Sequence, residues 1–185
     1  MHLGAVHAAD KDGVIDGRFI WDSDRLNTDR IVTEGYLHWG KEELPSVLDN
    51  VRCFLAAVVF YGDHPCDELV FVQADVKGAF GRLPVHSTSV PRTGQVLTDN
   101  LLLFRFLGFF GWCLWPLIWG VLSRVIKFMC RGHGEIQFME SYVDDSTLIT
   151  TMSRADSEAE TLLLIIRMLC GEDGVAENKT IRKAR

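Results

Sequence analysis

The stretch Ser141-Tyr142-Val143-Asp144-Asp145-Ser146-Thr147-Leu148-Ile149-Thr150 constrains the fold of this chain more than any other. Two adjacent aspartates lie between an aromatic and branched pair, Tyr142-Val143, and a β-leaning run from Thr147 to Thr150. With Gln137-Phe138-Met139 as a first strand, the pattern predicts a hairpin over 136–150 with both acids at its tip. Aspartate is an ordinary turn residue. A plain turn, however, is expected to carry glycine or asparagine and polar neighbours, and here apolar residues lie on both sides, Tyr142-Val143 before and Leu148-Ile149 after. Side-by-side carboxylates repel, and a bound cation relieves that repulsion best. From this stretch alone, a plain turn and a metal site stand level.

A third acid changes the balance. Leu69 to Val72 is a continuous apolar run bounded by a loop, the pattern of a strand buried on both faces. The strand ends at Asp75, and Lys77-Gly78-Ala79-Phe80-Gly81 then turns the chain away. An acid at the end of a buried strand is costly unless it is paired or bound to a metal. The hairpin placed beside this strand would bring Asp75 to Asp144 and Asp145. Three carboxylates so placed suit two Mg²⁺ ions roughly 3.5–4 Å apart, the arrangement that clamps attacking and leaving oxygens in phosphoryl transfer.

The remaining elements follow from periodicity and breakers. Lys11-Asp12-Gly13 reads as a turn before a short strand from Arg18 to Asp22, with Asp16-Gly17 a second turn signal. Lys11 and Arg18 are either solvated cations of an exposed hairpin or partners for a triphosphate. Glu42 to Val59 reads as a packing helix, with Leu44, Val47, Leu48, Val51, Leu55 and Val58 recurring at helical steps. The stretch 84–100 reads as irregular, with Pro91 a breaker. Leu117 to Arg131 reads as an apolar helix stopped by Gly132-His133-Gly134. Ser153-Arg154-Ala155-Asp156 opens another helix in capping-box style, running through Leu162, Ile165, Ile166 and Leu169 to Gly171. Asn178 to Arg185 reads as a polar, basic tail. The sum is an α+β plan with an antiparallel hairpin beside the first strand.

Composition bounds the partners. Hydrophobic residues make up 48% of the 185 and charged residues 24%, as in a globular protein. A net charge of -6 argues against a broad basic face for nucleic acid, though not against a local groove. The five cysteines are scattered without a C-x-x-C pair, so reduced intracellular thiols are expected. No secretory signal is visible over Met1 to Asp10, so the chain is expected inside the cell, cytoplasmic or nuclear. Phe106 to Ser123 lacks charge at a length that reaches a membrane span. Gly108, Gly111, Pro116 and Gly120 interrupt it, and Trp112, Trp115 and Trp119 sit mid-run, so no span is expected.

Taken together, these pieces resemble the fingers and palm of reverse transcriptases, the RNA-directed DNA polymerases, especially those of retrotransposons. The Y-x-D-D pattern stands as Tyr142-Val143-Asp144-Asp145. The strand of the first catalytic acid matches Ala74-Asp75-Val76-Lys77-Gly78-Ala79-Phe80, followed by Leu83-Pro84-Val85-His86. A glycine-bearing loop matches Phe110-Gly111-Trp112 with Pro116, and Gly171 to Thr180 looks like the next palm motif, ending in Lys179-Thr180. Lys11-Asp12-Gly13, Arg18 and Asp22 to Asn27 are similar to the fingers hairpin.

The resemblance implies a right-hand polymerase fold: partial fingers over 1–67 and an antiparallel palm sheet with packed helices over 68–185. Asp75, Asp144 and Asp145 would be catalytic. They would bind two Mg²⁺ ions (or Mn²⁺), with the Val76 carbonyl as a further ligand. Phe80 would be the steric gate against a ribose 2′-hydroxyl. Lys11 and Arg18 would contact the triphosphate, Gly111 would let the backbone approach the nucleotide, and Lys179 would lie near the leaving pyrophosphate. Partners would be an RNA or DNA template-primer and deoxynucleoside triphosphates, with no membrane. Leu114-Trp115 replaces the family's small residues before the proline, Gly78 stands where many relatives carry an acid, and a thumb and ribonuclease H segment are expected only in a full-length relative. A truncated or degenerate copy is therefore expected, the alternative being a catalytically inactive palm-fold relic or nucleic-acid-binding module.

Overall fold

The computed structural model describes residues 3–9, 15–21, 46–62, 67–109, 111–112, 114–133 and 136–184. In chain order the elements are β1 (Leu3–Ala9), β2 (Ile15–Trp21), α1 (Val47–Gly62), β3 (Leu69–Asp75), β4 (Gln95–Thr98) and β5 (Leu101–Leu103). Then come α2 (Trp115–His133), β6 (Met139–Tyr142), β7 (Asp145–Thr151), α3 (Ala155–Cys170) and β8 (Ile181–Ala184). Short 3₁₀ turns lie at Ala79–Arg82 and Val90–Thr93.

The architecture is α+β. Strand β3 sits inside a four-stranded sheet of order β6-β7-β3-β8, antiparallel at every pairing. Alternation along β3 divides its side chains between two layers. Val70, Val72 and Ala74 enter the main core with Met139 and Leu148, beneath Trp119 and Ile126 of α2 and Leu162 and Ile166 of α3. Leu69 and Phe71 face the other way, toward Ala57 and Tyr61 of α1 and Ile149 of β7. The apolar run of β3 is thus covered on both sides, as its sequence predicts. Burial of each such Val, Leu or Ile contributes roughly 1.5–3 kcal/mol, so the larger core on the α2 and α3 side dominates the sheet's stability.

Several boundaries differ from expectation. The first hairpin strand spans Met139–Tyr142 and not 137–139; Phe138 precedes it, its carbonyl still accepting from Ile149 N–H at 2.9 Å while its ring packs against Tyr61 and Phe60. The expected 42–59 helix begins at Val47 among the described residues and continues to Gly62. Its expected core stripe, apart from Leu44, which lies outside the described residues, is the exposed one: Val47, Leu48, Val51, Leu55 and Val58 face outward, while Ala57 and Tyr61 are buried. Asp16-Gly17 is not a turn, since both residues pair within the β1–β2 hairpin, opposite Ala8 and His7. The stretch 84–100, expected to be irregular, contains a 3₁₀ turn and β4, which pairs with β5. The basic tail is a strand: β8 covers the open edge of β3.

The helix start at 153–156 forms without its box. The N-cap is Arg154 and has no side-chain cap, because the Ser153 hydroxyl donates to Asp67 and sits 3.2 Å from Thr151 Oγ1. The buried stripe of α3 includes Leu162, Ile165 and Ile166 as expected, but Leu163 takes the inward place given to Leu169. Helix α2 contains the expected 117–131 and extends it at both ends, through Gly132 and His133 at the close and with Pro116 in the first turn, where its missing N–H costs nothing. Among the described residues no helix is long and apolar enough to cross a membrane. Cys53, Cys130 and Cys170 are free thiols, and burial pushes the Cys130 thiol up to about 12.

Candidate functional site

The sheet brings the three acids together from separate strands. In the β3–β7 ladder Asp75 is directly opposite Asp145, and the Tyr142–Asp145 pair closes the β6–β7 hairpin around a two-residue turn, Val143-Asp144. One carboxylate oxygen from each of Asp75, Asp144 and Asp145 lies within 4.8 Å of the others. Like charges directly opposite in a ladder are destabilising, so this arrangement needs compensation. Asp75 is almost fully buried at 4% exposure. The Asp144 carboxyl is pushed above its ordinary value, mainly by burial and further by the charges of Asp75 and Asp145; a backbone hydrogen bond and Lys179 oppose the rise.

Part of the compensation is a lysine. Lys179 Nζ sits 2.9 Å from Asp75 Oδ2. It arrives there because the loop after α3 docks on the end of β3: Lys77 N–H donates to Gly174 O at 2.8 Å and Ala176 N–H to Asp75 O at 2.9 Å, with Val76 bridging Val175. Arg82 fastens the same loop from the 3₁₀ turn, donating to Cys170 O, Asp173 O and Asp173 Oδ1 at 3.2, 2.9 and 2.6 Å.

The turn itself is strained and clamped. Val143 has φ 54, a left-handed conformation that a β-branched residue rarely adopts. Hairpins place glycine, asparagine or aspartate at such positions. Holding valine there costs of order 1–3 kcal/mol and persists only where the surroundings enforce it. Here they do. The Trp119 indole N–H donates to Val143 O at 2.5 Å, and the Ser123 hydroxyl donates to the same oxygen at 3.2 Å. Val76 N–H donates to Asp144 O at 3.2 Å, tying the turn to the end of β3. Behind it, the hydroxyls of Ser141 and Ser146 meet at 3.1 Å across the ladder.

The other expected site residues are distributed as follows. Val76 adjoins the acids through its backbone, with its side chain in the core. Phe80 lies in the 3₁₀ turn after β3 and is buried at 8% exposure. Gly111 has φ 102, which glycine alone adopts without strain. Trp115 is a core residue, packed with Phe80 and Ala79 and lying against the backbone of Gly108. Lys11 and the side chain of Arg18 lie outside the described residues. Trp119, Ser123 and Arg82 were not singled out by sequence. The four-residue step from Trp119 to Ser123, placing both on one helix face, was the available signal.

As a donor set the cluster is all carboxylate oxygen, with no histidine or thiol. That chemistry fits a hard divalent cation such as Mg²⁺ or Mn²⁺ better than zinc or copper. No protein-family model and no curated protein matches the chain.

Proposed function

We propose that the chain is the fingers and palm portion of a retroelement reverse transcriptase, performing template-directed nucleotidyl transfer at Asp75, Asp144 and Asp145. The observation that carries this reading is the convergence of three carboxylates, two from a Tyr-Val-Asp-Asp turn and one from the end of the neighbouring strand. The donor chemistry fits Mg²⁺ or Mn²⁺, which would be held by these three residues with the Val76 carbonyl beside them. When bound, such an ion supplies Lewis-acid activation of a primer hydroxyl and neutralises charge on the transferred phosphoryl group.

The protein's share is positioning and electrostatics. The β3–β7 ladder holds Asp75 and Asp145 face to face, and the turn fixes Asp144 beside them. Lys179, more than half exposed, is placed to meet a phosphate near the acids. Phe80 follows the first acid on the tight turn, where its ring would discriminate the sugar. Residues 1–67 would supply the fingers, with Lys11 and Arg18 toward the triphosphate, and 68–185 the palm.

A second reading is favoured by the ion pair of Lys179 with Asp75: a palm-fold relic or nucleic-acid-binding module in which the lysine supplies the counter-charge. Primer extension on an RNA template with Mg²⁺ or Mn²⁺ separates the two. Extension that Asp144→Asn abolishes supports the polymerase. No extension, with nucleic-acid binding indifferent to Asp75→Asn, sinks it in favour of the binding module.

A further inference from the structure

We infer that Trp119 and Ser123 are positioning residues of the acidic cluster, holding the Val143-Asp144 turn in the conformation that presents its carboxylates to a cation. The inference rests on the metal-site reading above and assigns a device to it.

Three observations meet at one atom. Val143 is a valine in a backbone region that disfavours it, so the turn relaxes unless something restrains it. Its carbonyl accepts from both the Trp119 indole and the Ser123 hydroxyl. Both donors are enclosed, Trp119 at 0% and Ser123 at 8% exposure. An indole has one donor and no acceptor, so a wholly buried tryptophan has one polar demand, and here the turn meets it.

The geometry explains why restraint belongs at this carbonyl. Val143 O belongs to the peptide that joins Val143 to Asp144, so fixing that oxygen fixes the peptide plane from which Asp144 departs. The next carbonyl, that of Asp144, is held by Val76 N–H, which fixes the plane leading into Asp145. Each peptide following a turn residue is thereby anchored to a different element, the first to α2 and the second to the end of β3. Like-charged carboxylates push the turn open, and the two anchors oppose that push. Groups that orient metal ligands from behind typically change affinity by tenfold or more when removed.

The test is Mn²⁺ binding followed by electron paramagnetic resonance on the whole chain, with folding checked by circular dichroism. Trp119→Phe keeps the ring and removes the N–H; it is expected to weaken Mn²⁺ binding by about tenfold with the fold intact. Ser123→Ala, a smaller change, is expected to weaken it less, and decides the matter if Trp119→Phe does not fold. Wild-type binding that Asp144→Asn abolishes but Trp119→Phe and Ser123→Ala leave unaltered overturns the positioning role alone. Absence of any Asp144-dependent Mn²⁺ binding in the wild type overturns the metal-site reading and this inference with it.

Discussion

At the scale of single residues, the acid cluster is a balance between like charges held close and the groups that compensate them. Lys179 is one such group. Its removal in Lys179→Ala leaves Asp75 buried beside two other carboxylates. Because the lysine is more than half exposed, the loss is expected to be only about 1 kcal/mol. It should show as a lower melting temperature in chelator that Mn²⁺ recovers more fully than in the wild type. Gly108 is a different kind of constraint. A Cβ there would clash with the Phe80 carbonyl and meet the Trp115 ring at 3.0 Å. Gly108→Ala should therefore cost about 1–3 kcal/mol by overpacking, measured by urea unfolding. Asp144 and Asp75 were legible as a tip acid and a strand-end acid, because residue type and nearby apolar runs are local; Asp145, read as a second tip acid, is instead the first residue of β7. The partners of Val143 O were not, since they come from a helix 20 and 24 residues upstream and a carbonyl carries no sequence label.

At the scale of elements, one side chain fastens the loop after α3 to the 3₁₀ turn. Arg82 joins the 3₁₀ turn to Asp173 and Cys170 and also donates to Lys77 O at 2.9 Å. Arg82→Ala is expected to destabilise by about 1.5–3 kcal/mol and to loosen Lys179 from Asp75, seen as faster amide exchange over 171–180. The hydrogen bond and charge of Arg82 hold the Asp173 carboxyl below its ordinary value of 3.8. A lowered acid contributes stability that is present above the unfolded value and lost as pH falls through the folded one. Acid unfolding of the wild type should thus include a component below about pH 4 that Asp173→Asn removes. Helix α1 makes a contrasting case. Its periodicity revealed a helix, yet the described residues of the stripe read as core are exposed, and so is Val59 beside Val58, at 75%. Val59→Ser should leave the unfolding free energy within about 0.5 kcal/mol of the wild type. Apolar residues occur nearly all round α1, so spacing alone could not say which side the sheet would cover.

At the scale of the whole molecule, the sheet depends on the last segment of the chain. β3 is flanked by β7 on one edge and β8 on the other, so ending the chain at Thr180 would bare a hydrogen-bonding edge of the central strand. That truncation is expected to cost about 1 kcal/mol in lost cross-strand pairs and to promote concentration-dependent association by edge pairing, measurable by light scattering. Polarity hid this strand: Ile181 to Ala184 carries two basic residues and reads as tail, but an edge strand needs only a partner, and only the folded sheet shows that β3 has a vacant side. By itself the sequence determined the strand and hairpin that carry the three acids, the helices α2 and α3, and most of the apolar stripe of α3, because each is written in local residue order. The tertiary structure alone decided which face of α1 is buried, that the tail becomes β8, and that Trp119 and Ser123 hold a strained valine turn. Those outcomes depend on which surfaces meet, and hydrogen-bond partners distant in the chain are chosen only when the sheet and its helices close around them.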